Sequence, residues 1–274
     1  MSPISKLFLP PPALSGCVLA AVYRDTRGAM LPAADRINHF PASPLVSVTL
    51  VRHGTLHLLE PGGDWTTASR APALPELTVM APQDTPTTSW ALNEIEAITL
   101  GIYPDAWRSL GGDAEYSQIP ASLVNALKHF GTEKDPQTGW QALCERLTPQ
   151  WARNRVVRWQ QATGVTDWVK GLIIRSALSG TGQSLRSIER RMKRYSGQTR
   201  RNLEFFSAFE GLQALAQQNQ GMPLAEIAHE AGYADQSHMG RAVRRATGFT
   251  PARLNRAIQN NESFWCYRLL GERF

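Results

Sequence analysis

Two periodicities divide the chain. Through the first hundred residues the apolar positions come in short blocks bounded by Pro and Gly, a pattern of strands and turns. Val46 to Val51 is a β-branched run, His53-Gly54 a turn, and Thr55 to Leu59 a second run that stops at Pro61-Gly62-Gly63. The segments "ELTVMAPQ" and "IEAITLGIYP" predict two further strands. From about Ser122 the spacing becomes helical. Leu123, Leu127 and Phe130 share one face, with Gly131 as the stop, and Trp140, Leu143, Cys144 and Leu147 share the next, with Thr138 as the cap. "PQWARNRVVRWQQA" opens on Pro149, which a first helical turn tolerates, and predicts a separate third helix. Beyond Asp167 the chain is helical and basic.

This pattern predicts an α+β, multidomain protein. A β-rich N-terminal sensor domain, a barrel or sandwich, spans residues 1–118. A helical linker or dimerisation region spans 119–164, and an all-α domain spans 165–274.

The helical part repeats itself. Shifted by 51 residues, "SLRSIERRMKRYSGQT" (184–199) lies over "DQSHMGRAVRRATGFT" (235–250). Arg190 falls on Arg241, Arg194 on Arg245, Gly197 on Gly248 and Thr199 on Thr250, while Ile188 matches Met239 and Met192 matches Val243. Each segment opens on a capping residue, Ser184 or Asp235, and closes on a Gly suited to a left-handed helix end. On a helical wheel Ile188 and Met192, or Met239 and Val243, face inward. Arg186, Arg190, Arg194 and Lys193, or Ser237, Arg241, Arg244 and Arg245, then face outward. Ahead of the second copy, "MPLAEIAHEAGYADQSH" reads as a short helix in which small Ala228 permits a close crossing and Gly232 a tight turn. That is a helix-turn-helix, whose second helix enters the major groove.

The charge distribution agrees. The net charge is +6; residues 1–160 carry 13 basic against 14 acidic side chains and residues 161–274 carry 16 against 9. The whole excess lies with the repeat, where a polyanion would dock. Arginine forks read guanine edges or grip phosphates, and Gln, Ser and His bond base edges. The candidate DNA contacts are Arg186, Ser187, Arg190 and Arg194 in the first unit. In the second they are Gln236, Ser237, His238, Arg241, Arg244 and Arg245.

At "GYADQSHMGRAVRRATGFTPARL", and at "S-x-R-x-I-x-R-x-M" in the first unit, the chain resembles the AraC/XylS-type family of bacterial transcription regulators over roughly residues 165–260. The resemblance implies sequence-specific promoter binding through two adjacent major-groove segments. It also implies an N-terminal region, cupin-like in part of the family, that senses an effector or forms a homodimer, and contact with RNA polymerase if the protein is an activator rather than a repressor. Two features depart from the pattern. Met239 and Val243 stand where the family usually has phenylalanines. The first unit's supporting segment, "TDWVKGLIIRSALSGTGQS", lacks the short Ala-centred form and has a glycine-rich turn, "SGTGQ".

Other chemistry is thinner. Cys17, Cys144 and Cys266 have no metal spacing and leave one thiol outside any disulfide scheme, which points to a reduced, cytoplasmic protein. No run of 18 apolar residues predicts a membrane span, and "MSPISKLFLPPPALSG" is not a secretory signal. His39, His53 and His57 lie in the β-rich part without a His-x-His pair or a matched carboxylate, so no metal site and no cofactor are expected. Asp25, Arg27 and Arg52 are candidates for a ligand pocket. The aromatic C-terminus, "NNESFWCYRLLGERF", predicts a packing lid on the last helix or an interdomain contact. The leading reading is a DNA-binding regulator without enzymatic activity. The alternatives are a cupin-type metal-dependent enzyme fused to a DNA-binding module, and a non-specific nucleic-acid binder.

Overall fold

The computed structural model describes residues 1–60, 63, 65–68, 70–154, 162–180, 184–219 and 221–271. Strands β1 (Ile4–Phe8), β2 (Val18–Asp25), β3 (Ile37–Phe40), β4 (Val46–His53), β5 (Leu56–Leu58), β6 (Leu77–Met80), β7 (Thr87–Ala91) and β8 (Glu96–Ile102) form two antiparallel sheets. The larger runs β1-β2-β8-β4-β6 and the smaller β3-β7-β5. The four strands expected from the sequence are present as β4, β5, β6 and β8. The pattern does not announce β1, β2, β3 and β7. Interior β2, "VLAAVYRD", carries apolar residues on both faces and therefore lacks the alternation that marks a strand with one polar face.

Alternation does set the two faces of the large sheet. On β8, Ile98, Leu100 and Ile102 point into the core, and on β4 so do Val46 and Val48. The opposite face carries small or hydroxylated residues, Ala97, Thr99 and Gly101 on β8 with Ser47 and Thr49 on β4. A large-residue face packs tightly and a small-residue face leaves room. A cavity of about 460 Å³ opens between the two sheets on that second side.

The large-residue face is covered by helices. A short α1 (Trp65–Ala68) precedes β6, and α2 (Pro104–Ser109), α3 (Ala121–Thr132) and α4 (Pro136–Asn154) follow β8. Leu123, Leu127, Phe130, Trp140, Leu143 and Leu147 are buried as their spacing requires. Three boundaries differ from expectation. Thr138 does not cap α4 but lies inside it, and its amide donates to Asp135 Oδ2 at 2.9 Å, so Asp135 is the cap. Gly131 does not stop α3, which continues to Thr132, and Pro149 does not open a new helix but lies inside α4. The rest of that segment, "RVVRWQQ", lies outside the described residues. The cysteines are free and buried, and burial pushes the Cys17 thiol up and that of Cys144 to about 12.

The helical half contains α5 (Val165–Leu178), α6 (Leu185–Ser196), α7 (Arg200–Gln218), α8 (Leu224–Glu230), α9 (Gln236–Thr247), α10 (Pro251–Asn260) and α11 (Trp265–Leu270). One cluster of buried side chains runs from the large sheet through α3 and α4 into Trp168, Leu172, Met192 and Leu203. A second holds α7 to α10 together around Leu212, Ile227, Met239, Val243 and Leu254. Buried Asp105 on α2 accepts from Trp168 Nε1 at 3.0 Å and from Arg175, so an ion pair ties the β-rich half to α5.

Candidate nucleic-acid interface

The two segments matched in sequence become α6 and α9, equal in length and displaced by the same 51 residues. Ser184 Oγ accepts from Ser187 N (3.3 Å) and Asp235 Oδ1 from His238 N (2.6 Å), each relieving an unpaired first-turn amide. Gly197 and Gly248 end the helices at φ 75° and 81°, where a side chain would be strained.

The structure adds an element of the repeat that identity matching misses, because the residues differ. Ser196 and Thr247, the last residues of the two helices, are both buried. Each hydroxyl donates to the carbonyl four residues back, Met192 O or Val243 O (2.8 Å both), and accepts the amide two residues on, Gln198 N or Phe249 N (3.1 Å both). A hydroxyl at that position is the signal that would have found it.

Met239 and Val243 are fully buried, Met192 nearly so, and Ile188 packs partly against the core. Smaller side chains than the family's phenylalanines thus still fill the second core. Gly232 turns at φ 78°, Ala228 is fully buried, and Tyr233 N donates to Ala228 O at 2.9 Å. In the first unit Ser176, also fully buried, is a small residue in the supporting helix, and Arg191 Nε donates to its carbonyl at 2.5 Å. Arg191 is accordingly buried among its arginine neighbours and gives the first helix less outward charge than its composition suggests. Residues 181–183 of the "SGTGQ" turn lie outside the described residues.

Nine of the ten candidate contacts, all but Ser187, are exposed. They are not equally available. Ser187 is half-buried and its hydroxyl lies 2.9 Å from Ser184 Oγ. The Arg245 guanidinium sits 3.8 Å from the Phe205 ring centroid and donates to Asn202 Oδ1. Arg194 leans over Tyr195, and the His238 ring packs edge-on to Tyr233. Arg186, Arg190, Gln236, Ser237, Arg241 and Arg244 remain on the outward faces.

The far ends of both helices touch the β-rich half. Arg108 on α2 donates to Arg194 O, and Ala42 N donates to Ala246 O at 2.7 Å. Gln198 Nε2 reaches Pro44 O (2.8 Å) and Asn202 Nδ2 reaches Asp84 Oδ1 (2.7 Å).

The other candidates of the β-rich half fall elsewhere. Asp25, Arg27 and Arg52 do not line the cavity. They form an ionic cluster in which Arg27 and Arg52 both pair with Glu96 and Arg27 also with Asp25. His53 is exposed, His57 Nδ1 lies 2.8 Å from Ala71 O, and His39 packs against Phe249 and Phe264. Among the described residues no three His, Cys, Asp or Glu side chains gather as a metal-binding group. No described helix is long and apolar enough to cross a membrane.

Two equivalent helix pairs, each presenting a capped cationic helix, on a β-rich half that encloses a cavity, define a DNA-binding protein of transcription regulation. Residues 179–257 match a helix-turn-helix domain family, and this segment is an AraC-type helix-turn-helix domain. Among solved structures the chain is similar to ToxT from Vibrio cholerae O395, at 10% identity over 92% of this chain and 96% of that one, with a TM-score of 0.40. Unsaturated fatty acid bound ToxT from Vibrio cholerae strain SCE256 is similar at 12% identity over 79% and 93%, with a TM-score of 0.37. Likenesses this remote carry no argument about function. Among curated proteins none matches the chain.

Proposed function

We propose that the chain is a sequence-specific transcriptional regulator whose α6 and α9 enter adjacent major-groove segments, and whose β-rich half takes a small-molecule effector in its cavity. The observation that carries the DNA reading is the pair itself. Two helices, each with a side-chain cap, a left-handed Gly stop and an apolar inward seam at matching positions, present Arg190 and Arg241 at equivalent outward positions. A surface built only for charge has no need of two copies in register. Arg186, Ser187, Arg190 and Arg194, with Gln236, Ser237, His238, Arg241, Arg244 and Arg245, are the proposed contacts. Arg241 is the strongest candidate for a base, and Arg194 and Arg245 for phosphate, since their side chains are already held by protein neighbours. The division into a sensor part (1–118), a linker (119–164) and a DNA-binding part (165–274) belongs to the same proposal.

The cavity supports the sensing half of the reading. Its volume suits a small molecule, its wall is mainly apolar, and side chains of α7 and α11 close it. A ligand there touches both the β-rich half and the helices behind the DNA-reading face.

The test uses the full chain. DNA bound from a random pool is sequenced, and the affinity for the selected site is compared with random DNA across a salt series. Equal affinities at every salt refute specific recognition. Arg241→Ala should weaken the selected site by about 1–3 kcal/mol and random DNA by less.

A further inference from the structure

The first recognition helix carries one acidic side chain among its cations. Glu189 is the fifth residue of α6, three after Arg186, one before Arg190 and four before Lys193, so the four side chains share one helix face. Arg186, Arg190 and Lys193 are exposed, and the Glu189 side chain is 42% exposed among them. A carboxylate on a face that meets phosphates works against binding, because it repels the backbone that its neighbours attract.

Its structural duties are light. Among the described residues its only ion pair is with Arg200 at the start of α7, whose Nη1 stands 3.6 Å from Oε1, beyond hydrogen-bond reach. Arg200 is itself 39% exposed and already donates through Nε to Glu204 Oε1 at 2.6 Å. Exposed pairs of this kind contribute little to stability. The pair with Lys193 that the spacing allows is not formed among the described residues. Nor does the second unit have a counterpart. The 51-residue shift places Gly240 opposite Glu189, and a side-chain carbon at Gly240 would meet no atom within 4 Å. The two helices therefore agree at Arg190 and Arg241 and differ one residue earlier.

We propose that Glu189 reads a cytosine, accepting from its N4 amino group in the major-groove segment under α6, and that this acid gives the two recognition helices unequal base preferences. The inference rests on the DNA reading above and adds to it a specificity-determining residue. Guanine presents N7 and O6 in the major groove and thymine presents O4, all acceptors that repel a carboxylate. Adenine sets its N6 donor beside the N7 acceptor, whereas the cytosine edge presents the N4 donor alone. The place on the helix fits a base, since the first half of a recognition helix comes closest to base edges. Arg186 and Arg190 flank the acid and take guanine or phosphate, and Arg200 behind it offsets part of its repulsion. Under α9, Gly240 brings bare backbone to the groove and asks for no cytosine. The unequal pair gives the bound chain one direction along the duplex.

The experiment selects DNA from a random pool with the full chain and with its Glu189→Gln, Glu189→Ala and Gly240→Glu variants, and sequences what each binds. The wild-type pool should hold cytosine at one position, and replacing that base should weaken binding about tenfold or more. Glu189→Gln should turn the preference there to adenine, whose N6 and N7 suit an amide, and Glu189→Ala should abolish it, with other positions unchanged. Gly240→Glu enters open space in a helix that glycine weakens, and should create a new cytosine preference about 10 base pairs away. If both Glu189 variants fold poorly, that gain decides, and its absence overturns the proposal. The same selected sequence for wild type and Glu189→Gln overturns the cytosine reading and leaves the regulator standing. Preference lost at every position in Glu189→Ala makes the residue a support of the helix and overturns it too. A wild-type pool with no preferred sequence overturns the proposal together with the DNA reading.

Discussion

The His39 ring is a pH-sensitive joint between β3 and the C-terminal helices. It packs at 4.5 Å on Phe264 and edge-on at 5.8 Å to Phe249, with Thr88 Oγ1 3.3 Å from its Nδ1. Burial drives its pKa down to about 4, against about 6.5 in an unfolded chain. Above the unfolded value the ring is neutral in both states and costs nothing. As pH falls through this window the unfolded chain takes the proton and the folded chain does not, so folding stability falls. Each pH unit costs about 1.4 kcal/mol, giving a loss of about 2 kcal/mol at about pH 5 and about 3 kcal/mol near the folded pKa. His39→Phe keeps an aromatic ring in the stack and removes the titration. Urea unfolding of both proteins at about pH 7.5 and about pH 5 isolates the effect, because every other group titrates alike in the two. The wild type should lose about 2 kcal/mol more than the variant between those conditions. A difference that stays constant with pH refutes a half-buried ring held neutral at this joint.

Three further substitutions test the framework. Asp235→Ala removes the amide cap of α9 and should cost about 1 kcal/mol of stability in thermal unfolding, with a further loss of DNA affinity if the first turn frays. Gly232→Ala meets no atom within 4 Å, so its cost is the strain of φ 78° alone, about 1 kcal/mol; a loss of several kcal/mol would mean that the turn is crowded. Asp105→Asn removes the buried carboxylate that accepts from both Arg175 and Trp168 Nε1 and should destabilise the protein by about 3 kcal/mol, read by urea unfolding. A neutral result there would show that α5 is not anchored through this ion pair.

The second helix-turn-helix was legible in the sequence almost residue by residue, because each signal in it is local. Asp235 caps the amide three residues on, Gly248 ends the helix within one turn of Arg244, and Met239 and Val243 meet the core because a helix repeats every 3.6 residues. The first unit was less legible for an equally local reason. Its supporting helix buries Ser176 where the second has Ala228, and Arg191, to which the sequence pattern assigns no role, bonds the Ser176 carbonyl. Pro149 misled because a proline inside a helix and a proline opening one look alike without the helix's partners.

The sequence alone determined the caps, the inward seam and the cationic face of α6 and α9, since these depend on contacts within a few residues. Only the tertiary structure decided which side of the large sheet stays open. That choice depends on the register of β4 and β8, which places Ser47, Thr49, Thr99 and Gly101 on one face. It also joined Arg24 to Glu262, 238 residues away in the chain. Strand pairing and charge pairing over such separations are set by how whole elements pack, and no short window of residues carries that information.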